Sequence, residues 1–260
     1  LRTIGHKGAD AIVPGNSIAS FEAAAEAGVS MIEFDVLRPR GDFDERGDWR
    51  AASAGPADGS GPLLIAHDWA DAARRGDATP TLEQALDALA SPALAHLEFD
   101  LDFKAIGRED EVVAALRERG LMERAMSSGM ELPTIEALRD LAPELRRGWT
   151  LPKVTRDWTR TPWAKPFVGA GMLHLRSRLP SVIARRAKNL GVMSIWLFHA
   201  LATKRIADAA HGAGCELICW TVDDATRMRE LAALGVDGIC SNDPRLFAAL
   251  RPPAADRFPG

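Results

Sequence analysis

Short apolar runs alternate with stretches in which apolar residues recur every three or four positions, and the alternation continues along the chain. The runs at 3–6, 31–36, 63–67, 96–103, 124–127, 147–151, 192–197, 217–222 and 238–241 are short, apolar and bounded by turn residues, as strands are. Between them the spacing predicts helices over 17–27, 81–89, 110–119, 134–141, 180–189, 203–212 and 225–234. In the first of these, Ile18, Phe21 and Ala25 share a face. Thr81 ahead of Glu83 and Gln84 reads as a helix start, and Gly28, Gly120, Gly191, Gly214 and Gly235 read as helix ends. Strand–helix alternation of this kind predicts βα units around a mostly parallel sheet. Nine strands are then proposed for the eight places of a barrel. The repeat leaves no room for a linker, so residues 1–260 are read as one domain.

Two segments break the rhythm. Residues 38–62 are rich in Gly, Asp, Arg and Ala without apolar periodicity, and they read as an insertion of the kind that forms lids or irregular loops. Residues 155–167 carry Trp158, Pro162, Trp163 and Pro166, which suit either a surface loop packing its own tryptophans or one wall of a pocket.

Composition narrows the function classes. The 260 residues carry 32 Lys+Arg against 36 Asp+Glu, a formal charge of −4. A nucleic-acid-binding surface needs a basic stripe, which this balance does not supply. No stretch approaches the 18 or so uninterrupted apolar residues of a membrane helix, so no membrane span is expected. Cys215, Cys219 and Cys240 are an odd number without CxxC spacing and read as buried free thiols. A cytoplasmic protein is expected, and because the chain opens on Leu1 instead of Met, secretion after removal of a leader is left open.

In a parallel barrel, reactive groups project from the C-terminal ends of the strands. The first strand ends at His6, followed by Lys7 and Gly8, and the run from Leu63 ends at His67 and Asp68. Two imidazoles on neighbouring strands would face each other across the mouth, a workable pair for proton transfer at neutral pH. Period-two alternation puts Glu33 and Asp35 on one face of their strand, opposite Ile32, Phe34 and Val36. Glu98, Asp100, Asp102 and Lys104 likewise share a face opposite Leu97, Phe99, Leu101 and Phe103. With the outer faces packed on helices, these carboxylates point inward, where like charges are costly without a compensating cation. An oxygen-only nest suits Mg²⁺ or Ca²⁺ rather than Zn²⁺. A salt-bridge network closed by Lys104, Lys7 and an arginine is the alternative.

Taken in order, His6-Lys7-Gly8, Pro14-Gly15-Asn16-Ser17, Ile32-Glu33-Phe34-Asp35-Val36, His67-Asp68, Trp220-Thr221-Val222-Asp223 and Gly235-Val236-Asp237-Gly238-Ile239 resemble the glycerophosphodiester phosphodiesterases. That family's pattern runs His-Arg-Gly, Pro-Glu-Asn-Thr, Ile-Glu-x-Asp-Val, His-Asp, Glu-x-Lys, Trp-Thr-Val-Asn and Gly-Val-Asp-Gly-Ile. The resemblance implies a (β/α)8 TIM barrel that uses one divalent cation, Mg²⁺ or Ca²⁺, to hydrolyse small glycerophosphodiesters to an alcohol and glycerol 3-phosphate. It makes His6 and His67 the catalytic pair and Glu33 and Asp35 metal ligands. Asp102 of Asp102-Phe103-Lys104 becomes the third ligand, with Asp100 and Glu98 as alternatives. Lys7 and Lys104 would contact the phosphate. Trp220, ending a late strand, would line the glycerol or head-group pocket or pack in the core.

Four departures bear on specificity. Gly15 replaces Glu, Lys7 replaces Arg and loses bidentate recognition, Asp102 replaces Glu and is one methylene shorter, and the insertion at 38–62 lies between Asp35 and His67. His96, His174, His199 and His211 read as structural or surface groups. Ser127-Ser128 lacks the Gly-x-Ser-x-Gly elbow of a serine hydrolase. Two rivals stand: a lysophospholipid-cleaving phospholipase D of the sphingomyelinase D kind, and a non-catalytic barrel that binds phosphorylated ligands. The insertion offers only Trp49 and Phe43 for an apolar lid, and a binding module has no need of a proton-transfer pair.

Overall fold

The computed structural model describes residues 1–39, 60–153 and 165–250, so the core of the 38–62 insertion, with Phe43 and Trp49, and most of 155–167, with Trp158, Pro162 and Trp163, lie outside the described residues. Among the described residues, nine strands run in chain order as β1 (Arg2–His6), β2 (Met31–Leu37), β3 (Leu64–Ile65), β4 (Glu98–Lys104), β5 (Ala125–Gly129), β6 (Arg146–Leu151), β7 (Ser194–Phe198), β8 (Glu216–Trp220) and β9 (Gly238–Ser241). Eight of them pair in parallel, and β1 bonds to both β2 and β9, which closes a (β/α)8 TIM barrel. The ninth resolves the surplus strand of the sequence reading. β3 spans two residues, runs antiparallel to the end of β2 and is not a barrel stave. His67 is therefore not at the end of a neighbouring barrel strand. It follows a short return segment that folds back over the C-terminal end of β2, pairing Ile65 with Val36 and Leu64 with Leu37.

The helices are α1 (Ile18–Glu26), α2 (Trp69–Arg75), α3 (Leu82–Ala90), α4 (Glu109–Glu118), α5 (Leu132–Leu141), α6 (Lys165–Leu190), α7 (Lys204–Gly212) and α8 (Ala225–Leu234). Capping chemistry sets several boundaries. Ser17 with Ser20 and Thr81 with Gln84 form reciprocal capping boxes, and Gly235 ends α8 in the left-handed region at φ 83°. Two helices depart from the sequence reading. α2 has no strong apolar period and is nucleated by Asp68, whose carboxylate accepts the Asp71 N–H at 2.8 Å. α6 continues upstream of Pro180, which sits inside the helix instead of opening it. Over 169–178 no residue is fully buried and Leu173 is exposed, so burial imposes little apolar period there.

Alternation along the staves separates two cores. Ile32, Phe34, Val36, Phe99, Leu101 and Phe103 face outward into the layer shared with the helices. Ile4, Met31, Met126, Trp196, Ile218 and Cys240 fill the bore. Glu98, at the start of β4, pairs with Arg2 and with Arg146, and Arg2 also pairs with Glu216, closing the N-terminal end of the bore with charges that neutralise one another.

The opposite end depends on a close backbone approach. A Cβ at Gly5 would lie 2.0 Å from the Gly8 carbonyl oxygen, so only glycine lets the chain turn back over β1 there. Overpacking against backbone costs about 1–3 kcal/mol or more. Gly5→Ala is expected to lower the unfolding free energy by at least about 1 kcal/mol, read as a lower urea midpoint. An unchanged midpoint would refute this account of the turn.

Candidate active site

The β1–α1 turn builds one wall. Lys7 adopts φ 51°, uncommon for a residue with a side chain, and Gly8 adopts φ 87°. This twist sends the Lys7 N–H to Glu33 Oε2 at 3.0 Å and the Gly8 N–H to the Glu33 carbonyl at 3.1 Å. The Lys7 carbonyl in turn accepts the Asn16 N–H at 2.9 Å and the Ser20 hydroxyl at 2.7 Å. Asn16, itself at φ 54° and buried, donates Nδ2–H to Asp35 Oδ2 at 2.7 Å and accepts the Asp35 N–H at 3.0 Å. The loop thus fixes both carboxylate-bearing residues of β2.

Register brings in the third carboxylate. Asp35 and Asp102 are Cα partners across the β2–β4 ladder, as are His6 and Glu33 across β1–β2. Glu33, Asp35 and Asp102 each offer an oxygen within 4.8 Å of the others. The two alternatives at this position are engaged elsewhere: Glu98 at the far end of the bore, and Asp100 as acceptor of the Ser128 hydroxyl at 2.6 Å. Lys104 pairs with Asp35, lies 3.5 Å from Asp102 and donates to the His67 carbonyl at 3.1 Å. His6 Nε2 lies 3.8 Å from Glu33 Oε2. His67, about half exposed, sets Nδ1 3.0 Å from Asp68 Oδ2. The His6 ring thus borders the acidic cluster from β1, while the return segment after β3 bonds the His67 backbone to Lys104 and brings the His67 ring close enough to act on the Asp35 charge.

Charge in this mouth is frustrated. Burial, reinforced by the Asp35 charge, pushes the Glu33 carboxyl up to about 8, and burial pushes Asp102 up to about 6 against the pull of Lys104. Burial also opposes ionisation of Asp35, but the Lys104 and His67 charges and the hydrogen bonds from Lys104 and Asn16 hold it below the usual carboxylate range. Asp35 and Asp102 hold Lys104 above the ordinary lysine range despite its burial. Burial, helped by Lys7, lowers His6 below an ordinary imidazole, which favours its neutral form. Three carboxylates facing one ammonium leave an excess of negative charge and an all-oxygen donor set. The residues present therefore fit a hard divalent cation.

The other expected site residues are less directly engaged. The Lys7 ammonium lies 3.7 Å from Asp10 Oδ2. Asp10 also accepts the Gly15 N–H at 2.7 Å, and a Cβ at Gly15 would lie 2.6 Å from that carboxylate. Asp10 thus places a carboxylate beside the position where the resemblance lost one. Trp220 packs on the bore cluster and 5.8 Å from the Phe198 ring, with its indole N–H buried and lacking an acceptor among the described residues. His211, near the end of α7, pairs with Asp237 just before β9, and His96 is exposed before β4.

Sequence reasoning overlooked Asn16, Arg75, Asp223 and Asn242 as site residues. Asn16 and Asp223 lay inside the quoted motifs, where the side-chain amide and carboxylate were the available signal. Arg75 donates to the Asn16 carbonyl at 2.9 Å and to the Ile65 carbonyl, tying the return segment to the β1–α1 loop, and a surface-like arginine on a short helix gives no such hint.

Fold and site together describe a (β/α)8 barrel whose mouth sets a histidine and two lysines around a buried acidic cluster. The chain belongs to the Glycerophosphoryl diester phosphodiesterase family, whose model matches residues 6–39 and 62–246. YhdW of Bacillus subtilis (strain 168), provisionally named a glycerophosphodiester phosphodiesterase, is 24% identical over 256 residues, covering 93% of this chain and 94% of its own. Among solved structures, a glycerophosphodiester phosphodiesterase from Agrobacterium tumefaciens superposes with a TM-score of 0.65 at 21% identity, covering 95% of this chain and 99% of its own. An Oleispira antarctica phosphodiesterase, solved in complex with the product sn-glycerol-3-phosphate, superposes with a TM-score of 0.63 at 17% identity, covering 96% of both chains. At these identities the structures establish the shared fold.

Proposed function

We propose that this chain hydrolyses small glycerophosphodiesters to an alcohol and glycerol 3-phosphate, with His6 and His67 moving the protons and with Glu33, Asp35 and Asp102 holding one divalent cation, Mg²⁺ or Ca²⁺. The observation that carries the reading is a buried carboxylate cluster with the His6 ring beside Glu33 and the His67 backbone bonded to the Lys104 that pairs with the cluster, in a member of this family. The product complex of the Oleispira antarctica relative supports glycerol phosphate as the retained half. When bound, the cation supplies Lewis acidity and a template for non-bridging phosphate oxygens.

The chain's own groups do the rest. Lys104 and Lys7 set positive charge where the phosphoryl group becomes most negative. One imidazole accepts a proton from the attacking oxygen and the other protonates the departing alkoxide, whose unassisted expulsion is slow. Trp220 and Phe198 form an apolar surface by the end of β8 and β7, suited to the carbon skeleton of the substrate.

The test is a product assay on chelator-treated protein, with and without restored Mg²⁺ or Ca²⁺, using glycerophosphocholine beside lysophosphatidylcholine. Cation-dependent release of choline and glycerol 3-phosphate from glycerophosphocholine is expected. Turnover of lysophosphatidylcholine alone would replace this reading with the phospholipase D rival, and cation-stimulated turnover of neither would favour the binding barrel. No helix among the described residues is long and apolar enough to cross a membrane.

A further inference from the structure

We infer that Asp223, acting through Asn242, locks the His6 ring as its Nδ1–H tautomer, so that the Nε2 lone pair faces the acidic cluster and His6 is the proton acceptor, with His67 the donor. This rests on the reaction proposed above and assigns the direction of proton flow within it.

The argument is one of donors and acceptors. Asp223 and Asn242 follow the C-terminal ends of β8 and β9, which are paired staves. Asp223 Oδ1 accepts the backbone N–H of Asn242 at 2.8 Å and the Ser241 hydroxyl at 2.9 Å, while Oδ2 lies 2.6 Å from Asn242 Nδ2. A carboxylate only accepts, so the amide nitrogen of Asn242 must face Asp223. The flipped amide would press its carbonyl oxygen against a carboxylate oxygen. With the nitrogen so placed, Oδ1 faces His6 and lies 2.6 Å from Nδ1. A carbonyl oxygen also only accepts, hence Nδ1 carries the hydrogen. In a neutral imidazole the other nitrogen is then a lone pair. His6 Nε2 lies 3.8 Å from Glu33 Oε2, outside hydrogen-bond range, and it has no hydrogen bond among the described residues.

His67 has a different backing. Its Nδ1 lies against Asp68 Oδ2, and the other Asp68 oxygen is occupied by the Asp71 N–H. A carboxylate partner offers the His67 ring a charge-assisted hydrogen bond that the neutral amide behind His6 does not. Proton flow follows from the contrast. The attacking O–H passes its proton to His6 Nε2 as the new P–O bond forms, and the departing oxygen takes a proton from His67 Nε2 as the old P–O bond breaks. Loss of the His6 proton to solvent and uptake of one by His67 restore the starting state. Asp223 and Asn242 touch neither phosphorus nor cation ligands, and are positioning residues.

The test reads the tautomer directly. In the full chain labelled with ¹⁵N-histidine, long-range ¹H–¹⁵N spectra on the alkaline side of the imidazole range should show His6, assigned by its loss in His6→Gln, with Nδ1 protonated and Nε2 bare. Asp223→Ala and Asn242→Leu should lose the single tautomer and about 10²-fold in kcat, with KM little changed. The exchanged double variant Asp223→Asn/Asn242→Asp keeps the same order of donors and acceptors, because an Asn side chain can accept the two Oδ1 bonds and donate to the new carboxylate. It should restore the Nδ1–H tautomer, which a merely structural role would not predict, and recover kcat only toward higher pH, because the carboxylate now set against Nδ1 favours the charged ring that cannot accept a proton. Should Asp223→Ala fail to fold, the unaltered protein and the exchanged variant still decide. An Nε2–H ring in active enzyme, or an Asp223→Ala variant with unaltered tautomer and kcat, overturns the inference. An Nδ1–H ring in a protein that cleaves no glycerophosphodiester upholds the lock and overturns the reaction.

Discussion

His6→Ala and His67→Ala each lower kcat on glycerophosphocholine by about 10²- to 10⁴-fold, the range over which a positioned acid or base contributes, while divalent-cation affinity changes little. The two readouts separate because neither ring belongs to the carboxylate cluster. His6 stands 3.8 Å from Glu33, and His67 reaches the cluster through its carbonyl's bond to Lys104, a backbone contact that alanine keeps. The variants should differ in stability. His67 is about half exposed, so its truncation removes little packing. His6 is largely buried, and its loss removes that packing together with the part-buried hydrogen bond to the Asn242 carbonyl oxygen, worth about 0.5–1.5 kcal/mol. His6→Ala should therefore melt below both the parent and His67→Ala. Steady-state kinetics, calorimetric titration with Mg²⁺ and thermal melts give the three quantities. Full turnover in either variant would remove that ring from the proton path.

The chemistry of the mouth was more legible in the chain than its construction. Glu33 and Asp35 alternate with Ile32, Phe34 and Val36, and period two is rigid enough to place both carboxylates in the bore without coordinates. The same rule placed Asp102 but also Asp100 and Glu98, since alternation gives a face and says nothing of height along the barrel. Height is set by register, which pairs Asp102 with Asp35 and sends Glu98 to the arginines at the far end. His67 shows a second limit. An apolar run of strand length looks the same whether it forms a stave or an antiparallel return, because the distinction lies in hydrogen bonds to a distant segment. Asn16 and Asn242 show a third. A polar amide in a loop carries no period, and its role emerges only when folding sets it against a carboxylate or an imidazole.

Asp35→Asn should abolish measurable divalent-cation binding and take turnover below that of the histidine variants, because outer-shell changes alone cost about 10- to 100-fold in metal sites and this removes a direct ligand. Asp35 is where the site's constraints meet. One oxygen accepts Lys104, the other accepts Asn16, and its Cα partner is Asp102. An amide of the same size has a single acceptor oxygen, so it can satisfy either Lys104 or Asn16 while presenting N–H groups to the other. That mismatch costs about 1–3 kcal/mol, and a lower melting temperature is expected alongside the lost affinity. A broken ion pair alone could produce the same instability, and Lys104→Met separates the causes. It removes the competing ammonium while leaving all three carboxylates, so cation binding should be retained or strengthened even as turnover falls through loss of phosphate charge stabilisation. If Lys104→Met loses the cation as Asp35→Asn does, the carboxylates are held in place by the ion pair and the ligand role assigned to Asp35 is wrong.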